Sequence, residues 1–284
     1  QYKDHLSDYH GWDQKEHAES WMLFSENLGE YLSIDETSLS NGELYTIVTN
    51  KAGKGRAGSL VAMVKGTSSE DVISVLKQIP RGKRIWVKEV TLDMAGSMNL
   101  IVEKCFPRSV RVIDRFHVQK LTYDAVQEMR IAHRWDALNE ETNNIENARY
   151  AKTTYVPYRF DNGDTKKQLL ARSRYLLFKS PEQWSPSQEQ RARILFAQYT
   201  DLKKAFDLTH KLRLIYSKTT DKGVALTKLA RWYNDVTDAG FHSFNTISAT
   251  IYSHYGNILN FFDNRSTNAS AESFNAKIKN FRAA

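Results

Sequence analysis

Three aspartates in this sequence, Asp35, Asp93 and Asp114, each end a short run rich in Leu, Ile or Val. A strand that ends in this way can deliver its carboxylate to a metal site, because hard cations such as Mg²⁺ and Mn²⁺ take oxygen ligands. Two such ions roughly 3.5–4 Å apart can activate water and stabilise the leaving oxygen in phosphoryl transfer. For the first aspartate, the alternative interpretation is an exposed acidic pair with Glu36 at a strand end.

A fourth carboxylate comes from the last segment of the chain. A helix from about residue 269 places Phe274, Ile278 and Phe281 on one face, because their steps of four and three residues match the helical period. We expect that apolar face to pack on the sheet and to bring Glu272 to the aspartates, on a side of the helix that it shares with Asn275 and Lys279. The alternative is an ordinary exposed glutamate.

The elements that must position these carboxylates predict an α/β fold with a mixed sheet flanked by helices. Three strands in quick succession indicate an antiparallel meander, and the strand, helix, strand, helix, strand order that follows indicates parallel strands. A Ser68 cap, early acids and Pro80 delimit the first helix of this part. The expected strands cover about 31–36, 43–49, 57–65, 84–93 and 110–113, and the expected helices cover about 68–79 and 97–105.

Strand patterns then disappear for about 150 residues, and helical patterns replace them. We predict three parts: a helical lead-in over 1–30, a catalytic core from 31–118 with 266–284, and a helical insertion over 119–265. Lysine and arginine side chains along a helix predicted at 186–217 are either a solvated face or a DNA-facing surface. The expected helices cover about 115–149, 165–178, 186–217, 223–238 and 241–256.

A glycine-rich basic stretch, residues 50–58, joins the second and third strands. It lacks the Gly-Lys-Ser/Thr ending of a phosphate-binding loop, and no helix follows it. We interpret it as a solvated hairpin tip, with backbone-phosphate contact to a polymer as the second reading. The candidate DNA-binding residues of the chain are Lys51, Lys54, Arg56, Lys277 and Lys279.

Composition restricts the class of protein. Forty Lys and Arg against 33 Asp and Glu give a formal charge of +7, which favours an anionic partner such as nucleic acid. The single cysteine, Cys105, excludes an internal disulfide and any zinc site built from several cysteines, and it favours a reducing intracellular setting. No run approaches 18 apolar residues, so membrane insertion is not expected. We expect the sequence to be a fragment.

Four blocks of the sequence, in order, resemble bacterial insertion-sequence DDE transposases of the ISL3 group. The resemblance covers about residues 30–281. The blocks are Leu32-Ser-Ile-Asp-Glu-Thr-Ser, Val90-Thr-Leu-Asp-Met-Ala, Val112-Ile-Asp-Arg-Phe-His-Val-Gln-Lys and Asn268-Ala-Ser-Ala-Glu-Ser-Phe-Asn-Ala-Lys-Ile-Lys.

The resemblance implies a ribonuclease-H-like core whose catalytic, metal-binding triad is Asp35, Asp93 and Glu272. It also implies two Mg²⁺ or Mn²⁺ ions and a large helical insertion before the last acid. Asp114 and His117 match an Asp-x-x-His element, and Asn275 matches a polar position after the last acid, so all three are candidate supporting residues. The zinc ribbon and helix-turn-helix region of such proteins has no counterpart in this sequence.

The function that the resemblance implies is metal-dependent DNA cleavage and strand transfer during transposition. The partners would be transposon ends and target DNA, the active form a homo-oligomer that joins two ends, and the place of action the bacterial cytoplasm, at the nucleoid. Two rival functions remain open: a catalytically silent DNA-binding or assembly protein, and a stand-alone ribonuclease-H-like nuclease.

Overall fold

The computed structural model describes residues 9–39 and 42–283, except for the side chains of 270 and 281–283. The chain divides into two compact units. Unit 1 contains the residues up to His117 and those from His254 onward, and unit 2 contains Val118–Ser253. The first boundary lies within one residue of the predicted one, whereas residues 254–265, which we expected in the helical insertion, join unit 1. Among the described residues, no helix is both long and apolar enough to cross a membrane.

Unit 1 is built on a mixed six-stranded sheet with the strand order β1-β4-β3-β2-β5-β6. The first four strands pair antiparallel, and β2, β5 and β6 pair parallel. This confirms the α/β class and the mixed sheet. The strands are β1 (Trp21–Leu23), β2 (Tyr31–Ser38), β3 (Leu44–Asn50), β4 (Leu60–Lys65), β5 (Glu89–Leu92) and β6 (Val110–Ile113).

The segment before β2 differs from the expected helical lead-in. Its described part holds short 3₁₀ turns at Tyr9–Gly11 and Ser25–Asn27 and the strand β1 between them. Strand β1 pairs with β4, with Met22 opposite Met63, and so adds a fourth antiparallel strand to the expected three. A three-residue strand among charged residues has too few positions to show a period of two.

Two hairpins connect β2, β3 and β4. The first closes through Leu39, whose N–H donates to the Glu43 carbonyl at 2.8 Å. An Asn-Gly pair at 41–42 is typical of a tight hairpin turn, and Asn41 lies outside the described residues. In the second, the Asn50 side chain accepts a hydrogen bond from the Ala52 N–H at 3.0 Å, and Lys54 takes a left-handed conformation with φ of 49°. The glycine-rich stretch is therefore an ordered turn, and β4 begins only at residue 60.

Arg84 explains why the fifth strand is shorter than the expected 84–93. Its Nε donates to the Ile79 carbonyl at 2.9 Å and its Nη1 to the Cys105 carbonyl at 2.7 Å, which hold residues 81–84 in a helical turn. The strand begins at Glu89. The helices of unit 1 are α1 (Ser69–Leu76), α2 (Arg81–Arg84), α3 (Gly96–Cys105), the first turn of α4 (Arg115–Tyr150), α10 (Tyr255–Leu259), α11 (Phe261–Asn264) and α12 (Ala269–Ala283).

Unit 2 contains only helices and turns among its described residues. The helix expected over 186–217 is two helices, because Tyr199 has a non-helical conformation (φ −126°, ψ 81°) and its ring packs against His133. The helix expected over 165–178 ends at Arg172 and is followed by a 3₁₀ turn. Besides α4, the helices are α5 (Lys166–Arg172), α6 (Pro186–Gln198), α7 (Thr200–Lys218), α8 (Lys222–Ala239) and α9 (His242–Ser253).

The lysines along α7 in unit 2 have partners within the chain. Lys203 pairs with Asp207 at 2.6 Å, Lys211 pairs with Asp235, and the Lys204 ammonium lies 5.7 Å from the centre of the Phe241 ring. These contacts favour the solvated-face interpretation over a DNA-facing surface.

Candidate active site

Three aspartates stand at one level across the parallel strands of unit 1. Strand β2 pairs with β5 so that Ser33 faces Thr91, and β5 pairs with β6 so that Leu92 faces Ile113. Continued by one or two residues, this register sets Asp35 beside Asp93 and Asp93 beside Asp114. The Asp114 N–H donates to the Leu92 carbonyl at 3.0 Å, so the pairing extends as far as Asp114. Since neighbouring strands lie about 4.8 Å apart, the three carboxylates form an acidic row.

The same row continues across the antiparallel strands as apolar side chains. Asp35 faces Ile47, Ile47 faces Met63, and Met63 faces Met22. Directly paired residues project from the same face of a sheet, so one face carries an apolar half and an acidic half at the same level.

Helix α12 packs on this face. Its Phe274 and Ile278 contact the buried cluster of Leu39, Ile47 and Met63, as the spacing of the two residues predicts. The side chain of Phe281, the third residue of the expected stripe, lies outside the described residues. Helix α12 therefore packs on the apolar half of this sheet face, and its polar side points toward the acidic row.

Asn275 of α12 reaches the acidic row directly. Its side chain is only 6% exposed, and its Nδ2 donates to Asp35 Oδ2 at 2.9 Å. The amide oxygen of the same side chain is buried and has no hydrogen-bond partner. Glu272, three residues earlier in the first turn of α12, is exposed.

Each aspartate of the row has at least one oxygen held by the protein. Asp35 accepts from Asn275, Asp93 Oδ1 accepts from the Ala95 N–H at 2.8 Å, and Asp114 Oδ1 accepts from the Phe116 N–H at 3.3 Å. Hydrogen bonds of this kind orient carboxylates that bind metals, and they limit the rotation of each group.

The carboxylates perturb one another. Burial raises the pKa of Asp35, the His117 charge opposes that rise, and Asp93 and Asp114 add to it. Glu272 is exposed as a residue, but partial burial of its carboxyl group raises its pKa, and the charges of Asp114 and Asp35 raise it further. A cluster of acids whose pKa values are raised by their neighbours is costly without a cation, and a bound divalent ion would relieve it.

His117 lies close enough to the row for its charge to act on Asp35 and Glu272. Its backbone N–H donates to the Asp114 carbonyl at 3.2 Å, which places it in the first turn of α4. Its Nδ1 is buried without a hydrogen-bond partner. Both supporting residues of the expected Asp-x-x-His element are thus beside the acidic row.

The donor set fits a divalent cation bound through few protein ligands. Among the described residues, no three acidic, histidine or cysteine side chains are arranged to hold one metal ion together. Mg²⁺ commonly binds one or two carboxylates and completes its shell with water and substrate phosphates. The aligned pair of Asp35 and Asp93, with the unpartnered amide oxygen of Asn275 beside it, meets that requirement, and the three-residue ligand set with Glu272 stays a prediction.

The candidate DNA-binding residues have different environments. Lys51 turns inward: its Nζ donates to Glu89 Oε1 at 3.2 Å and also to Thr91 Oγ1. Lys277 donates to the Gly55 carbonyl at 2.7 Å, which ties α12 to the glycine-rich turn. Lys54, Arg56 and Lys279 are exposed.

The sequence did not reveal a buried polar network next to the row. Glu89 is 3% exposed and receives Lys51 on one oxygen and Asn264 Nδ2, at 3.0 Å, on the other. Glu89, Thr91 and Asp93 alternate along β5, so all three share the face that α12 covers. That alternation is the one signal in the sequence that could have identified Glu89.

Asp93 and Asp114 directly follow β5 and β6, whereas Asp35 lies inside β2, which continues to Ser38 instead of ending near residue 36 as expected. Carboxylates aligned in this way suit a metal-dependent enzyme that acts on phosphate esters. The family model for DDE transposases of the ISL3 group, described as a transposase, matches residues 32–284. The chain belongs to this family of transposases, whose members use divalent metal ions.

One curated relative supports the same assignment. The chain is similar to the transposase for insertion sequence element IS1001 of Bordetella parapertussis, with 22% identity over 232 residues. The matched region is 81% of this chain and 50% of that protein, so the chain spans half the length of this relative. No solved structure matches the chain significantly.

Proposed function

We propose that this chain is the catalytic part of a transposase that cleaves DNA at the end of an insertion sequence and joins it to a target. The core would be ribonuclease-H-like, with unit 2 as an all-helical insertion between β6 and the segment that carries Glu272. The observation that carries the proposal is the alignment of Asp35, Asp93 and Asp114 on neighbouring parallel strands under α12.

Asp35, Asp93 and Glu272 would hold two Mg²⁺ or Mn²⁺ ions. When bound, these ions supply an activated water and stabilise the oxygen that leaves phosphorus. Asn275 orients the carboxylate of Asp35 by donating a hydrogen bond to it from α12. The amide oxygen of Asn275 has no partner and can accept a hydrogen bond from water in the site. Asp114 is the third member of the row, and His117 lies beside it, where its charge offsets part of the negative potential at Asp35.

Partners and place of action follow from this proposal. The exposed cations Lys54, Arg56 and Lys279 would contact DNA phosphates, with affinity that falls as salt rises. Lys51 and Lys277 would act indirectly, because their ammonium groups bind within unit 1. The active form would be a homo-oligomer that joins two transposon ends, acting at the nucleoid in the bacterial cytoplasm.

The test is strand cleavage on a plasmid that carries the coding region of this protein with its flanking DNA. Wild type should nick the flanks in Mn²⁺ or Mg²⁺ and not in EDTA, and Asp35→Ala, Asp93→Ala and Glu272→Ala should each abolish nicking. Glu36→Gln is the matched control, since Glu36 neighbours Asp35 on the strand but points to the other face. Equal nicking by all three variants would reject the proposal.

The rival with an observation in its favour is a catalytically silent DNA-binding or assembly protein. Within the part of the chain that the structure describes, no three ligand side chains converge on one metal position. A protein without catalytic activity would not need such a site. Salt-sensitive DNA binding without any metal-dependent nicking would support that rival. Faster cleavage of an RNA–DNA hybrid than of duplex DNA would instead indicate a ribonuclease-H-like nuclease.

A further inference from the structure

The start of strands β5 and β6, opposite to the acidic row, carries an exposed tryptophan among cations. Trp86 is 71% exposed, and no other ring or cation lies against its indole in the described part of the chain. Exposed lysine and arginine side chains accompany it. We call this the Trp86 surface, and it consists of Lys77, Arg81, Lys83, Trp86 and Arg108.

Backbone contacts bring these residues to one side of unit 1. The Trp86 N–H donates to the Lys83 carbonyl at 3.1 Å, and the Val110 N–H donates to the Lys88 carbonyl at 2.8 Å. Arg84 binds the Cys105 carbonyl, which joins the α2 turn to the end of α3 and the loop that carries Arg108. These hydrogen bonds hold the α2 turn, the Trp86 segment and the loop with Arg108 at one end of the sheet, and Lys77 directly follows α1.

The cations of the Trp86 surface have no ion-pair partner among the described residues, a property that they share with Lys54, Arg56 and Lys279. Lys77, Arg81, Lys83 and Arg108 make no salt bridge with any described residue. Their neighbour Lys88, in contrast, pairs with Glu30 at 2.8 Å. Unpaired cations around an aromatic ring are what proteins use to bind the phosphates, sugars and bases of nucleic acids.

The surface is separated from the acidic row by the length of a strand. Strand β5 spans Glu89–Leu92, which is roughly 13 Å at about 3.3 Å per residue, with Trp86 before it and Asp93 after it. A DNA strand bound for cleavage at Asp93 would use phosphates other than those at Trp86.

We propose that the Trp86 surface binds DNA at phosphates other than those held at the acidic row. The four cations contact phosphates, and Trp86 packs against a sugar or an unpaired base. The inference rests on the proposed function for the identity of the polymer. An acidic protein surface is the rival partner, but a purely protein partner would not require four unpaired cations.

The test compares DNA affinity of the full chain in EDTA, where no strand is cut. The triple variant Arg81→Ala/Lys83→Ala/Arg108→Ala should bind duplex DNA about tenfold or more weakly near 0.1 M salt. The slope of log K against log salt should become shallower by about 2 to 3. The control Lys203→Ala/Lys211→Ala, which removes the same kind of charge from ion pairs in unit 2, should leave both values unchanged.

A second measurement reports contact by Trp86 itself. DNA should quench tryptophan emission of the wild type, and Trp86→Phe should lose a distinct part of that quenching. Thermal unfolding midpoints would show that each variant is folded.

Unchanged affinity, slope and quenching would overturn the inference. So would a change in sedimentation behaviour of the triple variant without a change in DNA affinity, because it would indicate a protein interface. The two proposals fail separately: absence of nicking by the wild type rejects the proposed function only, whereas a wild type that binds no DNA rejects both.

Discussion

The two ends of the parallel strands in unit 1 differ in the sign of their charge and in their exposure to solvent. At the ends of β5 and β6, Asp93 and Asp114 align with Asp35, and Asp114 is 1% exposed. At the starts of the same strands lie the exposed Trp86 and exposed cations of the Trp86 surface. Both strands are only four residues long, so the contrast develops over a short distance.

This difference teaches how a chain with a net charge of +7 can concentrate negative charge at one place. Helix α12 packs its apolar side on Ile47 and Met63 and brings Asn275 onto Asp35 of the acidic row, where burial raises the pKa of that carboxyl group. The exposed cations remain where solvent and a polymer can reach them. One end suits a small, hard cation, and the other suits an extended polyanion.

The largest expected effect comes from removing one charge at the acidic end. Asp35→Asn keeps the shape of the side chain but removes a metal-binding carboxylate, so metal-dependent nicking should fall about 1,000-fold or more, as expected when several kcal/mol of transition-state stabilisation are lost. The slope of DNA affinity against salt should stay unchanged, because the cations are intact. Gel assays of nicking and titrations of DNA binding check both results.

If Asp35→Asn instead changed the salt slope as strongly as the cation variants do, the two ends would not act separately and the comparison would fail.

The buried pair of Lys51 and Glu89 is the exception to the comparison, because it puts an acid at the basic end of β5. Their side chains are 14% and 4% exposed. Lys51→Met leaves the Glu89 carboxylate buried without its cation and should lower the free energy of unfolding by about 3 kcal/mol. Urea unfolding of the single variant and of Lys51→Met/Glu89→Leu measures the effect, and the double variant should recover most of the loss.

Lys65→Met, which removes an exposed pair with Glu43, should leave the unfolding midpoint unchanged. A Lys51→Met protein as stable as the wild type, but weak in DNA binding, would favour the second interpretation of the glycine-rich turn, in which it contacts the phosphates of a polymer.

The acidic row can be predicted from the sequence, but the buried contacts around it cannot. Asp93 and Asp114 each end an apolar run, and that local signal was enough to place them at strand ends. Glu89 meets Lys51 across 38 positions and Asn264 across 175, and no local pattern encodes such contacts. Ser185 and Gln188 mark the start of α6 by local capping, whereas its end at Tyr199 depends on packing against His133.

A smaller effect is expected from Asn275, which touches the acidic row without carrying charge. Asn275→Leu removes the hydrogen bond to Asp35 and the free amide oxygen, so Mn²⁺ should bind about 10- to 100-fold more weakly, as is typical for partners of ligating carboxylates. Calorimetric titration of Mn²⁺ measures this without reference to activity. Tighter binding by the variant would show that Asn275 competes with the cation for Asp35.

The acidic end should also make the stability of the protein depend on pH. Burial and neighbouring acids raise the pKa of Asp35 and Glu272 in the folded protein, so the folded state holds protons that the unfolded state has lost. The stability this provides is complete below the unfolded-state pKa, near pH 4, and is lost as the pH rises through the raised values. Urea midpoints from pH 4 to 7 should therefore fall more steeply for the metal-free wild type than for Asp35→Asn.

Saturating Mn²⁺ should flatten the wild-type curve, because a bound cation keeps the carboxylates ionised. Parallel curves for the wild type and Asp35→Asn in EDTA would mean that Asp35 adds nothing to the proton uptake on folding.

The smallest effect is expected for Glu36→Gln, which removes an acid next to the row without removing a member of it. Burial raises the pKa of Glu36, and Asp93 and Asp35 raise it further, so its charge is near the site. Its side chain projects from the other face of β2, because successive residues of a strand alternate. Nicking and Mn²⁺ affinity should each change by less than about threefold, since only a screened charge is lost. A loss as large as that of Asp35→Asn would make Glu36 the ligand and shift the acidic end of the sheet by one residue.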